Sequence, residues 1–209
     1  MAMLGVKTLK PRQLALTAAM TAVTAVVTMV TGSFVPFPAT GGYLNLGDAM
    51  VMLSGLLFGA SLGGFAGGVG SALSDIFLGY PYFAPLTLLI KGTEGYLTGL
   101  IGNSKRLTLR VAGVVAGACA MLVGYFSVET PLTGMGAALG ELVAINSIQV
   151  AVGAIASLVL AQIILKTYPD IESYKPQPAK LRSGLIMILV AIVVLSSIVA
   201  LYLKTGIPP

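Results

Sequence analysis

Gly184–Leu203 reads GLIMILVAIVVLSSIVALYL, twenty residues without a charge. At about 1.5 Å of rise per residue, such a helix spans roughly 30 Å, the thickness of a bilayer's hydrocarbon core. In lipid, only helices and closed barrels satisfy their own backbone groups, and one apolar run of this length selects the helix. Working back toward the N-terminus, six more apolar segments stand out at 13–31, 47–60, 62–79, 84–103, 108–127 and 136–166. The second and third are short and are separated only around Gly59, Ala60 and Ser61, so they are tilted or partly re-entrant.

Composition agrees with a lipid-embedded chain. Hydrophobic residues make up 56% and charged residues 9%, against about a quarter charged in soluble domains. The 209 residues include no histidine, which removes imidazole bases and His-containing zinc sites from consideration. Cys119 stands alone, so no internal disulfide forms and cysteine usage says nothing of compartment. No G-x-x-x-x-G-K-[ST] pattern occurs, so the chain has no phosphate-binding loop of its own.

The net charge of +5 is distributed as topology rather than as a nucleic-acid surface. Lys7, Lys10 and Arg12 precede the first segment. Lys105, Arg106 and Arg110 lie between the fourth and fifth, and Lys166, Lys175, Lys180 and Arg182 between the sixth and seventh. The alternate loops 32–46, 80–83 and 128–135 hold no lysine or arginine. The positive-inside rule therefore places the N-terminus in the cytoplasm and the C-terminus outside. The basic start precedes a long apolar stretch with no A-x-A site, the pattern of an uncleaved helix rather than a signal peptide. The expected fold class is all-α, a polytopic membrane helical bundle. A six-helix core covers residues 1–166, a proline-rich cytoplasmic linker 167–183, and an appended transmembrane helix with an external tail 184–209.

Polar groups collect in the outer half. Gly41, Gly42, Tyr43, Leu44, Asn45, Leu46, Gly47 and Asp48 lead into the second segment, and Asp75 lies one turn from the outer end of the third. Lys91 and Glu94 sit one turn apart on the fourth, while Glu141, Asn146 and Gln149 open the sixth. Charges at bilayer depth are expensive and are kept for pairing or function. Mutual neutralisation of Asp75, Lys91 and Glu94 is the structural reading, and a substrate site is the functional one. Lys91 lies about six residues below Pro85, or ~9 Å deep, so it needs a partner. Asp75 is expected to be that partner, with Glu94 supporting the pair.

Nine of the 15 aromatics, Phe34, Phe37, Tyr43, Phe77, Tyr80, Tyr82, Phe83, Tyr125 and Phe126, fall at this same end. A lipid-interface belt would occupy both ends. The asymmetry favours an outward pocket with flat walls for a small heterocycle.

Small residues recur at helical spacing in two places. Gly63 with Gly67 and Gly64 with Gly68 permit close helix approach. They do not form a dinucleotide fingerprint, because Leu73 stands where a third glycine belongs and no strand precedes them. Ala15 with Ala19 and Ala18 with Ala22 mark either packing inside the bundle or a docking face for another membrane subunit.

Three stretches together carry a family resemblance. They are Asn45-Leu46-Gly47-Asp48, then Gly70-Ser71-Ala72 through Asp75 to Gly79-Tyr80-Pro81, and then Ala84-Pro85-Leu86-Thr87-Leu88 through Ile90-Lys91-Gly92 to Glu94-Gly95. They resemble the energy-coupling factor (ECF) transporter S components, in particular the riboflavin-transporter-like group. The resemblance covers residues 10–166, with 45–102 its specific part. It implies a six-helix, non-enzymatic bundle without cofactor or metal that captures a vitamin outside and topples in the membrane. A transmembrane coupling subunit and two separate ATPase subunits would be its partners, and Ala15, Ala18, Ala19 and Ala22 match the family's contact motif for the coupling subunit. Asn45, Asp48, Asp75, Tyr80, Lys91, Glu94, Glu141, Asn146 and Gln149 are the expected substrate-binding residues, and riboflavin is the first candidate ligand. The seventh segment departs from the family plan.

Two rival functions are weaker. An intramembrane aspartyl protease would need Asp48 and Asp75 as a proton-sharing pair, but Asn45 stands where the first glycine of G-x-G-D belongs. A self-sufficient ion-coupled porter would use Asp75, Lys91 and Glu94 as a relay, yet the chain shows no inverted repeat.

Overall fold

The computed structural model describes residues 11–40, 42–174 and 181–206. Lys7, Lys10, Gly41, Lys175 and Lys180 lie outside the described residues, as does the side chain of Arg182.

The helices are α1 (Pro11–Gly32), α2 (Gly47–Phe58), α3 (Ala60–Leu78), α4 (Ala84–Gly102), α5 (Leu107–Thr133), α6 (Met135–Thr167) and α7 (Leu181–Thr205). Of these, α1, α5, α6 and α7 are long and apolar enough to cross a bilayer. With 12 residues, α2 reaches only about 18 Å. Between α1 and α2, Pro36–Phe37 and Gly42–Tyr43 form a short antiparallel hairpin.

Cross-helix contacts fix the directions. Arg110 Nη1 donates to Gln162 Oε1 at 3.0 Å, and Asn103 Nδ2 donates to the Leu56 carbonyl at 3.0 Å. One end of the bundle thus gathers the α2–α3 junction, the α4–α5 junction and the C-terminus of α6. The hairpin and the 79–83 turn occupy the other. Gly79 ends α3 with φ of +90°, a left-handed conformation that a side chain would strain.

Glycine sets the tightest packing. A Cβ on Gly63 would stand 2.6 Å from the Gly55 Cα and 2.7 Å from the Gly95 carbonyl oxygen. At that point α2, α3 and α4 meet backbone to backbone, as the small-residue spacing of α3 led one to expect. Along α1, Thr17, Thr21, Thr24, Ala25, Thr28 and Gly32 form the buried stripe, whereas Ala15, Ala18, Ala19 and Ala22 are exposed.

Three boundaries differ from the sequence reading. Gly59 alone separates α2 from α3. Helix α5 continues to Thr133, past Glu129 and Pro131, rather than stopping at 127. Helix α6 is interrupted by a π turn over Leu142–Asn146. Finally, α7 packs on α4 and α5 at the bundle's edge and leaves most of its surface to lipid. Gly184 meets Tyr96 and Leu100 near one end, and Tyr202 Oη donates to the Tyr82 carbonyl at 2.8 Å near the other.

Candidate functional site

The polar cluster is assembled from the start of α2. Asn45 Oδ1 accepts from the Gly47 backbone N–H at 2.8 Å, turning the chain into the helix and setting Asp48 in its first turn. Gln149 of α6 holds both residues. Its Oε1 accepts from Asn45 N at 2.9 Å and Asn45 Nδ2 at 3.1 Å, while its Nε2 donates to Asp48 Oδ2 at 3.1 Å.

Lys91 of α4 makes its close ion pair with Asp48 Oδ1. Its Nζ also lies 3.1 Å from Glu94 Oε2 and 5.6 Å from the centre of the Tyr125 ring. All three charged side chains are buried. The expected Lys91–Asp75 pair is therefore corrected: Asp48 takes the ammonium. Asp75 Oδ1 instead accepts from Tyr43 Oη at 2.5 Å, which ties the hairpin to α3. Burial, reinforced by the charge of Asp75, pushes the Tyr43 phenol far above its ordinary pKa, so it stays a donor.

These groups surround a cavity with an open interior of about 30 Å³, room for little more than a water or two. Asn45, Asp75, Tyr80, Lys91, Glu141, Asn146 and Gln149 line it. The other two expected site residues, Asp48 and Glu94, stand behind that wall and act through Lys91. Of the outer aromatics, Tyr43, Tyr80, Phe83 and Tyr125 line the cavity, while Phe34 and Phe77 are largely exposed. Tyr43 and Tyr80, both on the cavity wall, lie 5.6 Å apart, centre to centre.

Sequence reasoning missed Glu129, Thr28 and Ser71, which also line the cavity. Glu129 follows from α5's extra length, which carries it onto the cavity wall together with Glu141. The π turn explains the pairing of Glu141 with Asn146. Five residues apart on an ordinary α-helix, two side chains diverge by about 140°. The wider turn, closed by the Ser147 N–H on the Leu142 carbonyl, brings them toward one face. Among the described residues no group of acidic, histidine or cysteine side chains has the arrangement of a metal site.

Known proteins agree with this architecture. The family model for the ECF-type riboflavin transporter, S component, matches residues 8–168. A protein of Lactococcus lactis subsp. cremoris (strain MG1363), the thiamine precursor transporter HmpT, is 32% identical over 144 residues, 68% of this chain and 82% of that one. A Pyrococcus woesei protein, described as an uncharacterized protein in the gap 3' region, is 50% identical over 108 residues, 51% of this chain and 72% of its own. With its helices, its closed polar pocket and a family match over most of its length, the chain belongs to the ECF-type riboflavin transporter S component family, a multi-pass membrane protein that captures vitamin-type substrates for import.

Proposed function

We propose that this chain binds a vitamin or vitamin precursor at its outer face and delivers it to a transmembrane coupling subunit served by two ATPase subunits. The observation that carries this reading is the buried cavity itself, roofed by aromatic rings and lined by polar side chains from several helices. Seven of the expected substrate residues lie on its wall, and Asp48 and Glu94 set the position of Lys91 from behind. Vitamin-sized ligands occupy pockets of hundreds of Å³, so capture requires the hairpin and the 79–83 turn to move outward and then close. Riboflavin is the first candidate, from the family model, and a thiamine precursor is the second, from the HmpT relative.

The proposed orientation has the N-terminus inside and the C-terminus outside. The exposed alanines of α1 then form the docking face on its cytoplasmic half. An ion-coupled porter is less well supported, because Lys91 is held in ion pairs with Asp48 and Glu94 inside the bundle.

Purified chain in liposomes provides the test. It should bind a member of a water-soluble vitamin panel, hydrolyse no ATP and accumulate nothing under an ion gradient. Uphill uptake by the chain alone would refute the S-component mechanism.

A further inference from the structure

A second cavity lies away from the polar site, between α7 and the flank formed by α3 and α4. It encloses about 480 Å³, and its wall is predominantly apolar. Gly64 and Gly92 line it where α3 and α4 approach closely, and a Cβ on Gly64 would stand 3.1 Å from the Gly92 carbonyl oxygen. At those two positions the crease between the helices carries no side chain. From the other side, Ile188 and Ala191 of α7 face the same space.

The space exists because α7 meets the bundle near its start and again along its second half, and bridges the gap between. Gly184 meets Tyr96 and Leu100. Further along, Leu195, Ile198, Val199 and Tyr202 pack against the hydrophobic core. Ile188 and Ala191 continue that stripe at helical spacing, yet they line the cavity rather than the core. On the opposite wall, Ser61 to Val69 of α3 and Leu88 to Tyr96 of α4 each give about 12 Å of helical rise. That length approaches half of a bilayer's roughly 30 Å hydrocarbon core. Ser61 places one end of the slot beside the α2–α3 junction.

Surroundings and dimensions select the occupant. The slot is continuous with the chain's lipid-facing surface, and Phe65 and Val190 on its wall are 54% and 55% exposed. Its apolar wall gives water few polar partners, and leaving it empty would forfeit dispersion contacts on every side. A partner helix is too thick. At about 10 Å across it takes roughly 120 Å³ per residue, so the space would hold about one turn. A hydrocarbon chain roughly 5 Å across and 15 Å long takes on the order of 300 Å³, so one fits and two do not. We propose that one acyl chain of a bilayer lipid fills this slot. Helix α7 then rests on the bundle through lipid along its first half and through its own side chains along its second.

Lipid retention and add-back on the full chain test this. Purified in detergent, the chain should keep phospholipid at about one per chain after washing that strips the surrounding lipid. Ala191→Phe sets a ring in the middle of the slot and should lower that retention several-fold, and Ser61→Phe at the slot's end should do the same. Val193→Phe lies about 200° round α7 from Ala191, at a position 65% exposed, and should retain lipid as the wild type does. Restoring dioleoyl phosphatidylcholine to the fully stripped chain should raise the melting midpoint by a few degrees in the wild type and in Val193→Phe. It should not do so in Ala191→Phe or Ser61→Phe, because only a ligand bound to the native state shifts unfolding. Equal retention in every variant would make the lipid a general coat and overturn the proposal. So would a stripped wild-type chain that melts as high as the loaded one, or a stable dimer that buries the slot against a second copy.

Discussion

At the residue scale, the site hangs on one lysine that would be intolerable alone. Lys91 is buried among α2, α4 and α5 and is matched by Asp48 on one side and Glu94 on the other. Removing one member of a buried ion pair typically costs about 3–5 kcal/mol, since the remaining charge is left unmatched. Lys91→Met should therefore lower stability by about that much in chemical unfolding of the micelle-bound chain. Adding Asp48→Asn should restore at least about 1 kcal/mol of the loss, and this coupling should exceed the one between Lys91→Met and Asp75→Asn. Equal coupling to Asp48 and Asp75 would contradict the observed pairing. The need for a partner was legible in the sequence, because depth follows from counting residues below Pro85. The partner's identity was not. Asp48 and Asp75 both lie in the outer half, and the choice rests on contacts between helices distant in sequence. Gln149 orients Asp48 from 101 residues away, and Tyr43 ties up Asp75 from 32. Neither contact leaves a trace in local spacing.

At the element scale, two features tune the pocket without being part of a regular bundle. The first is the π turn in α6, which adds one residue to a helical turn and brings Glu141 toward Asn146. Val143 within it is 68% exposed, so deleting it should convert the turn to α-helix without disturbing the core. The segment Met135–Glu141 would then rotate by about 100° relative to the rest of α6, carrying Glu141 off the cavity wall. Helix content by circular dichroism should be unchanged, while ligand affinity falls at least about tenfold. Retained affinity would show that the π turn does not set the site. The second feature is α7, whose Tyr202 holds the Tyr82 carbonyl in the turn that carries Tyr80 and Phe83. Tyr202→Phe deletes one hydrogen bond, worth about 1 kcal/mol. It should speed ligand release in stopped-flow measurements several-fold, with little change in the melting temperature. An unchanged release rate would make α7 a bystander to the pocket. Hydropathy found the apolar spans because lipid selects for length and lack of charge. It could not see the π turn, since an extra residue leaves hydropathy unaltered. It also cut α5 short, because Glu129 and Pro131 read as a loop until their helix is placed against Glu141.

At the scale of the whole molecule, the chain has a polar interior at its hairpin end and an apolar exterior elsewhere, and the proposed function asks that exterior to meet both lipid and a coupling subunit. Helix α1 divides these roles. Its threonine stripe turns inward, with Thr17 and Thr21 hydroxyls donating to carbonyls four residues back at 2.8 and 2.7 Å. Those two hydroxyls are met within the helix, whereas the Thr24 and Thr28 hydroxyls on the same packed face have no partner among the described residues. The opposite side exposes Ala15, Ala18, Ala19 and Ala22, which lack the bulk to hold a partner helix at a distance. Ala18→Trp and Ala22→Trp each place a ring on that surface and leave the threonine face and the cavity untouched. Each variant should bind ligand with wild-type affinity yet lose ATP-driven uptake when reconstituted with the coupling and ATPase subunits. Thr21→Trp serves as the contrasting case. Its ring would push into α3, where the Thr21 carbonyl already lies 2.8 Å from the Cβ position of Gly70, so stability and binding should fall together. If the alanine variants instead lose ligand binding along with uptake, this face takes part in the bundle and the coupling subunit docks elsewhere. If both retain full uptake, close approach at α1 is not how the chain engages its motor.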